Sequence, residues 1–171
     1  MHSESIRLDG DIPIVSVVGW ANFPESIRSL DTFASPDYAD LFSAAIRGST
    51  NSSAEDWARI VLEETSTGRS APILWRSLGL RLGPTPSADY VQGWKIADRG
   101  QDWVRVETSS WCMSAHAVLH VDDGLVSLAL FVRFDHPMAG VIWAPVSRMH
   151  RRGVPIMLRQ AIRAHESRDM G

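Results

Sequence analysis

Residues 90–165 carry the strongest pattern in this chain, a series of β-rich segments followed by one long amphipathic segment. Short breaks that contain Gly and Asp, such as Asp122-Asp123-Gly124, separate the β-rich segments and favour tight turns between antiparallel neighbours. We therefore predict a meander, whose strands are Tyr90–Ala97, Asp102–Ser109, Trp111–Val121, Leu125–Phe134 and Gly140–Ala144.

The periodicity of apolar residues changes after Pro145. Apolar side chains then recur at helical spacing, with arginines between them, at Val154, Met157, Leu158, Ala161, Ile162 and His165. This spacing predicts a C-terminal helix that starts near Val154, with Pro155 disturbing its first turn because proline has no N–H to donate. A one-sided helix must bury its apolar side, and the preceding sheet is the nearest apolar surface.

The part of the chain before the meander predicts one strand and two short helices. Asp37–Ile46 reads as the first strand, Ser53 as an N-cap, and Pro72 as a residue in the first turn of the second helix. Residues 1–33 have no long repeating apolar face, so we predict an N-terminal arm there, although Ile14–Val18 has the composition of a short strand. Residues 34–168 then form one domain, which suits a chain of 171 residues.

Composition excludes several classes of function. The net charge of −3 gives no electrostatic argument for nucleic-acid binding, and no segment approaches the ~20 apolar residues of a membrane span. No secretory signal is evident, so we expect a cytoplasmic location in which Cys112 stays reduced. The last helix carries a basic strip that suits either solvent or weak contact with an anionic membrane surface, formed by Arg148, Arg151, Arg152, Arg159, Arg163 and Arg168.

Several short motifs carry a family resemblance that covers roughly Asp37 to Ile162. They are Asp37-Tyr38-Ala39-Asp40, Ser53-Ala54-Glu55-Asp56-Trp57, Leu74-Trp75-Arg76-Ser77-Leu78-Gly79-Leu80, Gly140-Val141-Ile142-Trp143, Met149-His150-Arg151 and Met157-Leu158. With them the chain resembles a bacterial family of domains of unknown function, which also occurs fused to the C-termini of dehydrogenase-like proteins. That family is similar to the START, polyketide cyclase and birch-pollen-allergen (SRPBCC) superfamily.

The resemblance implies an α+β helix-grip fold. In that fold a curved antiparallel sheet wraps around a long C-terminal helix, two short helices follow the first strand, and a hydrophobic cavity lies between sheet and helix. The resemblance implies no catalytic residue.

The alternation of side chains along the strands also predicts a cavity, because every second residue faces the helix. Small Ala115 and Ala117 beside bulky tryptophans favour a void, although methionines and tryptophans that fill the space are the alternative. We place Cys112, His116 and His120 on the opposite face. The predicted lining is Trp94, Ile96, Val104, Val106, Trp111, Met113, Ala115, Ala117, Leu128, Leu130, Val132, Met157 and Ala161.

Few residues suggest chemistry. His116 and His120 lie about 13 Å apart on an extended strand, too far to share a metal ion. The sequence has neither a Gly-rich phosphate-binding motif nor a G-x-S-x-G nucleophile motif, so we expect no cofactor and no metal. Arg105, Glu107 and Arg133 fall on polar strand faces, either as solvated pairs or as a polar anchor at the cavity mouth.

The predicted function is non-covalent binding of an apolar or amphipathic small molecule. A cyclase- or hydrolase-type enzyme in the same cavity is one alternative, and an ionisable cavity side chain with a displaced pKa would distinguish it. A protein-interaction module with a filled core is the other. Leu125–Phe134 is apolar on both faces and needs a second cover, from the N-terminal arm or from a second subunit in a homodimer.

Overall fold

The computed structural model describes residues 12–47, 51–122 and 124–169. Its strands form one seven-stranded antiparallel sheet, with the last strand of the meander paired to β2. The strands are β1 (Ile14–Val18), β2 (Tyr38–Ala45), β3 (Tyr90–Val91), β4 (Trp94–Arg99), β5 (Trp103–Ser109), β6 (Met113–Asp122) and β7 (Leu125–Phe134). Their order across the sheet is β1-β2-β7-β6-β5-β4-β3.

The helices complete an α+β architecture, as the sequence predicts. Ser53 caps the second of them with a reciprocal pair of hydrogen bonds to Asp56, which confirms the predicted N-cap. The helices are α1 (Glu25–Arg28), α2 (Ala54–Arg59), a π-helical segment that continues it (Ile60–Glu64), α3 (Ser66–Ser77) and α4 (Ala139–Asp169).

The main core lies between one face of the sheet, here called the inner face, and the helices α2 and α4 with the π-helical segment. Val154, Leu158 and Ile162 of α4 are buried there, which confirms the predicted phase of the C-terminal helix. Trp57 of α2 is fully buried and stacks on the ring of His165, with ring centroids 4.5 Å apart. The inner core is therefore closed by contacts between helices as well as by the sheet.

The outer face of the sheet is covered by the N-terminal segment. Phe23, Ile27 and Phe33 of this segment pack on a second apolar cluster that includes Phe131 of β7. The rings of Phe23 and Phe131 lie 5.4 Å apart, a distance typical of favourable aromatic pairs. Residues 12–33 thus supply the second cover that the two apolar faces of β7 require. The domain boundary after residue 33 stays a prediction.

Two predicted strands are wrong. Tyr90–Ala97 is not one strand, because Gln92 and Gly93 adopt positive φ and turn the chain back as the β3–β4 hairpin. Gly140–Ala144 is the beginning of α4, where Ala139 and Trp143 are buried and Val141 is 68% exposed. The buried residues recur at helical spacing. Packing of one helical face against the core therefore outweighs the β propensity of the valine, isoleucine and tryptophan in this segment.

Two predicted helix starts are also wrong. α4 begins at Ala139 and not near Val154, so Pro145 and Pro155 both lie inside it. α3 begins at Ser66, with the hydroxyl of Thr65 accepting a hydrogen bond from the Gly68 N–H at 2.9 Å. Because this cap satisfies an exposed donor, the helix can begin six residues before Pro72.

Candidate functional site

An apolar cavity of about 570 Å³ lies between the inner face of the sheet, α3 and α4. The sheet side is formed by Trp94, Met113, Ala115, Ala117, Leu128 and Leu130, from β4, β6 and β7. Two lining residues on the helices, Ile73 and Met149, are 74% and 57% exposed. The cavity therefore reaches the surface at its helical walls.

The structure brings together seven of the thirteen residues predicted to line the cavity. These are the six sheet residues just named and Met157 of α4. Five others, which pack in the core beside the cavity and do not line it, are Ile96, Val104, Val106, Val132 and Ala161. For these five the predicted face is right and the predicted contact with the cavity is wrong.

Trp111 is the clear error in the predicted lining. Its side chain is 60% exposed, beside Gly79 and the ring of His136. β6 begins only at Met113, and the chain bends at the two residues before it, so the alternation of the strand does not extend back to Trp111. Cys112 is consequently the residue that enters the inner core, not the outer face as predicted.

Most residues of the helical walls of the cavity were not predicted from the sequence. α3 and its C-cap residue supply Ala71, Leu74, Trp75 and Leu78, whose spacing of three and four residues is the signal that identifies one face of a helix. α4 supplies further lining residues that the mistaken strand obscured, at Trp143, Val146, His150, Gly153 and Val154. These residues also follow helical spacing once α4 is extended back to Ala139.

A hydrogen-bonded polar network borders this apolar cavity. Asp40 of β2 is fully buried, and its carboxylate accepts a hydrogen bond from the Tyr38 hydroxyl at 2.5 Å. The other carboxylate oxygen lies 3.0 Å from Nε2 of His150 on α4. Among the described residues that line the cavity, His150 alone has an ionisable side chain. The network therefore places one ionisable side chain in a mainly apolar wall.

The pKa of the Tyr38 hydroxyl is a measurable property of this network. Burial raises the pKa of its hydroxyl well above the usual value, and the negative charge of Asp40 and the hydrogen bond to it raise the pKa further, against an opposing effect of Arg151. In a Tyr90→Phe variant Tyr38 is the last tyrosine, since the chain has two. We expect its absorbance titration to have a midpoint above pH 10.

Adding Asp40→Asn to that variant should lower the midpoint, because the substitution removes the neighbouring negative charge. An unchanged midpoint would show that Asp40 does not act on Tyr38.

The other ionisable candidates lie away from the cavity. His116 is on the outer face, where Nδ1 lies 2.7 Å from Asp31 and the ring stacks on Phe33. Arg105 bonds Glu107 at 3.0 Å and, like Arg133, lines no part of the cavity, so these groups form no anchor at its mouth. Within residues 12–47, 51–122 and 124–169, no three His, Cys, Asp or Glu side chains are grouped as a metal site.

Comparisons of the chain with protein-family models, with curated proteins and with solved structures found no match. None of the helices in the described part of the chain combines the length and the apolar character needed to cross a membrane.

Proposed function

We propose that the chain has the helix-grip fold of the START-like (SRPBCC) superfamily and binds an apolar or amphipathic small molecule non-covalently in its cavity. Two features support the fold assignment: the antiparallel sheet with α4 across it, and the two helical segments between β2 and β3. The resemblance of the sequence motifs points to the same superfamily. A cytoplasmic location, a homodimer and weak contact with a membrane surface stay predictions from the sequence.

The cavity is the observation that carries the proposed function. The space of about 570 Å³ reaches the surface, so it is filled by water when no ligand is bound. Its walls are mainly Leu, Met, Ala, Val and Trp side chains, which offer water few hydrogen bonds. An apolar ligand is the better occupant.

Affinity should follow from the buried area. A ligand that buries about 300 Å² of carbon surface gains about 7 kcal/mol gross at roughly 25 cal/mol per Å². The loss of translational and rotational freedom subtracts from this gain, so micromolar or weaker dissociation constants are expected. Trp75, Trp94 and Trp143 line the cavity, and tryptophan emission is the natural readout of binding.

An Ala115→Phe substitution should abolish binding of a hydrophobic dye. Ala115 lies on β6 in the cavity wall, so a phenyl ring there occupies the space a ligand needs. We expect at least a tenfold rise in the dissociation constant for a hydrophobic dye, a fatty acid or an aromatic polyketide. Because the added ring fills empty space, the variant should melt at or above the temperature of wild type.

Ala45→Phe is the matched control, since Ala45 is an exposed residue at the end of β2. It makes the same change outside the cavity and should leave dye binding unchanged. If Ala115→Phe binds the dye as well as Ala45→Phe does, the dye binds elsewhere and the proposed cavity function is wrong.

An enzyme that uses the same cavity is the second candidate. The observation that favours it is the contact between His150 and Asp40, because a carboxylate that orients an imidazole is a common arrangement for proton transfer. Chemical conversion of a bound molecule, followed by mass spectrometry, separates this function from binding alone.

A further inference from the structure

We propose that Nδ1 of His150 accepts a hydrogen bond from a hydroxyl group of the cavity ligand, so that the ligand is an apolar alcohol or phenol. This inference rests on the proposed function and adds the chemical class of the ligand. It starts from the polarity of the cavity, in which His150 is the one ionisable lining residue that the structure describes.

The hydrogen-bonding role of Nε2 in His150 follows from its partner. Asp40 accepts the Tyr38 hydroxyl at one carboxylate oxygen, and the other carboxylate oxygen is likewise an acceptor. Nε2 of His150 must therefore carry the hydrogen in the 3.0 Å contact to Asp40. In a neutral imidazole the remaining nitrogen, Nδ1, then has a lone pair and no hydrogen.

That lone pair is available to a ligand. The part of the chain that the structure describes provides a partner for Nε2 and none for Nδ1. The ring is held by aromatic contacts, with its centroid 6.2 Å from that of Phe42 and 6.3 Å from that of Trp143. A fixed acceptor at an apolar wall selects a ligand group that can donate, because a buried ligand acceptor at this point would face another acceptor.

Ser70 and Ser77 on the opposite wall do not compete for this role. They donate their protons to the carbonyls of Thr67 and Leu74 within α3, and both side chains are exposed. Of the other polar lining residues, Thr67 lies on α3, whereas His150 lies on α4 with a side chain that is only 21% exposed. A ligand hydroxyl beside α4 therefore has His150 as its partner.

The lining distinguishes a hydroxyl from a cationic donor. Among the described lining residues there is no carboxylate, so an ammonium group in the cavity would lose its hydration without gaining a charged partner. Three indole rings line the cavity, from Trp75, Trp94 and Trp143, and such rings favour a flat ligand.

The test compares naphthalene, 2-naphthol, 2-methoxynaphthalene and 2-naphthoate by tryptophan emission at pH 7.5. Wild type should bind 2-naphthol about fivefold to tenfold more tightly than 2-methoxynaphthalene, the ratio expected for one hydrogen bond. His150→Leu should reduce that ratio to about one and leave the affinity for naphthalene within about twofold. His136→Leu, which changes an exposed histidine outside the cavity, should retain the wild-type ratio.

Four results overturn the inference. Equal losses for naphthalene and 2-naphthol in His150→Leu would make His150 a wall residue only. Preferential binding of 2-naphthoate that His150→Leu removes would show that Nδ1 donates and that the ligand is an anion. Naphthalene binding with no preference among the four probes would retain the proposed function and refute the hydroxyl contact, whereas no binding of any probe refutes both.

Discussion

Leu158→Arg is expected to lower the free energy of unfolding by at least about 3 kcal/mol. Leu158 lies on α4 and is fully buried in the inner core. A guanidinium group at this position either stays unpaired among apolar side chains or forces α4 to turn away from the sheet, and both outcomes belong to the few mechanisms that cause large losses of stability. Urea denaturation followed by tryptophan emission measures the change.

Ile156→Arg is the matched control for this prediction. Ile156 is two residues earlier on the same helix and is 49% exposed, so arginine there keeps its charge in water. The control should differ from wild type by no more than about 0.5 kcal/mol. Comparable losses in the two variants would contradict the orientation of α4.

The phase of α4 could be predicted from the sequence, whereas its start could not. Apart from Ile156, the apolar positions from Val154 to Ile162 fit one helical face, and Arg159 lies on the other. Between Gly140 and Ala144 the residues suit a strand or a helix, and Pro145 suggests an end. In the structure the ring centroids of Trp143 and Tyr38 lie 5.2 Å apart. This contact with a distant strand cannot be inferred from the local sequence.

The sheet side of the cavity could also be predicted from the sequence, because the alternation of side chains along β6 and β7 follows from strand geometry alone. The error at Trp111 arises where that geometry ends. Alternation assigns faces only within a strand, and the end of a strand is set by hydrogen bonds that the sequence does not reveal. Here the hydroxyl of Ser110 accepts hydrogen bonds from the N–H groups of Cys112 and Met113, which turns the chain before β6 begins.

The polar network could not be predicted from the sequence, for a different reason. Asp40 and His150 are separated by 110 residues and meet only because α4 crosses β2. One signal was present: Tyr38, Asp40 and Phe42 share a face of β2, and Ser43 is the one polar residue among the rest of that strand. A buried carboxylate on that face requires a hydrogen-bond donor from the element opposite, and α4 is that element.

A hydrogen bond from a residue distant in the sequence also supports α3. Pro72 lies in the interior of α3, so it cannot donate the hydrogen bond that the carbonyl of Gly68 would receive in an ordinary helix. The side chain of Gln92, in the turn between β3 and β4, donates to that carbonyl instead, at 3.2 Å. Local rules placed Pro72 in a first turn because the sequence does not show that a residue twenty positions later takes over this bond.

Gly68→Ala is expected to destabilise the fold by about 2–3 kcal/mol, although alanine usually stabilises a helix relative to glycine by about 1 kcal/mol. The reason is space and not backbone conformation. A Cβ atom on Gly68 would lie 2.5 Å from the carbonyl oxygen of Val61 and 2.6 Å from that of Leu62. Because both oxygens belong to the backbone of the π-helical segment, relief requires α3 to move away from it.

Gly153→Ala makes the same change in α4 without this obstacle. A Cβ atom there would meet only Cγ2 of Thr67, at an ordinary contact distance of 3.9 Å, so the variant should gain about 0.5–1 kcal/mol. Urea midpoints of the two variants should therefore move in opposite directions from wild type. Since α3 forms one wall of the cavity, Gly68→Ala should also weaken binding of a hydrophobic dye under conditions in which the variant is still folded. A gain of stability in Gly68→Ala would mean that α3 does not pack on the π-helical segment at this distance, and the cavity wall formed by Leu74, Trp75 and Leu78 would then have to be placed elsewhere.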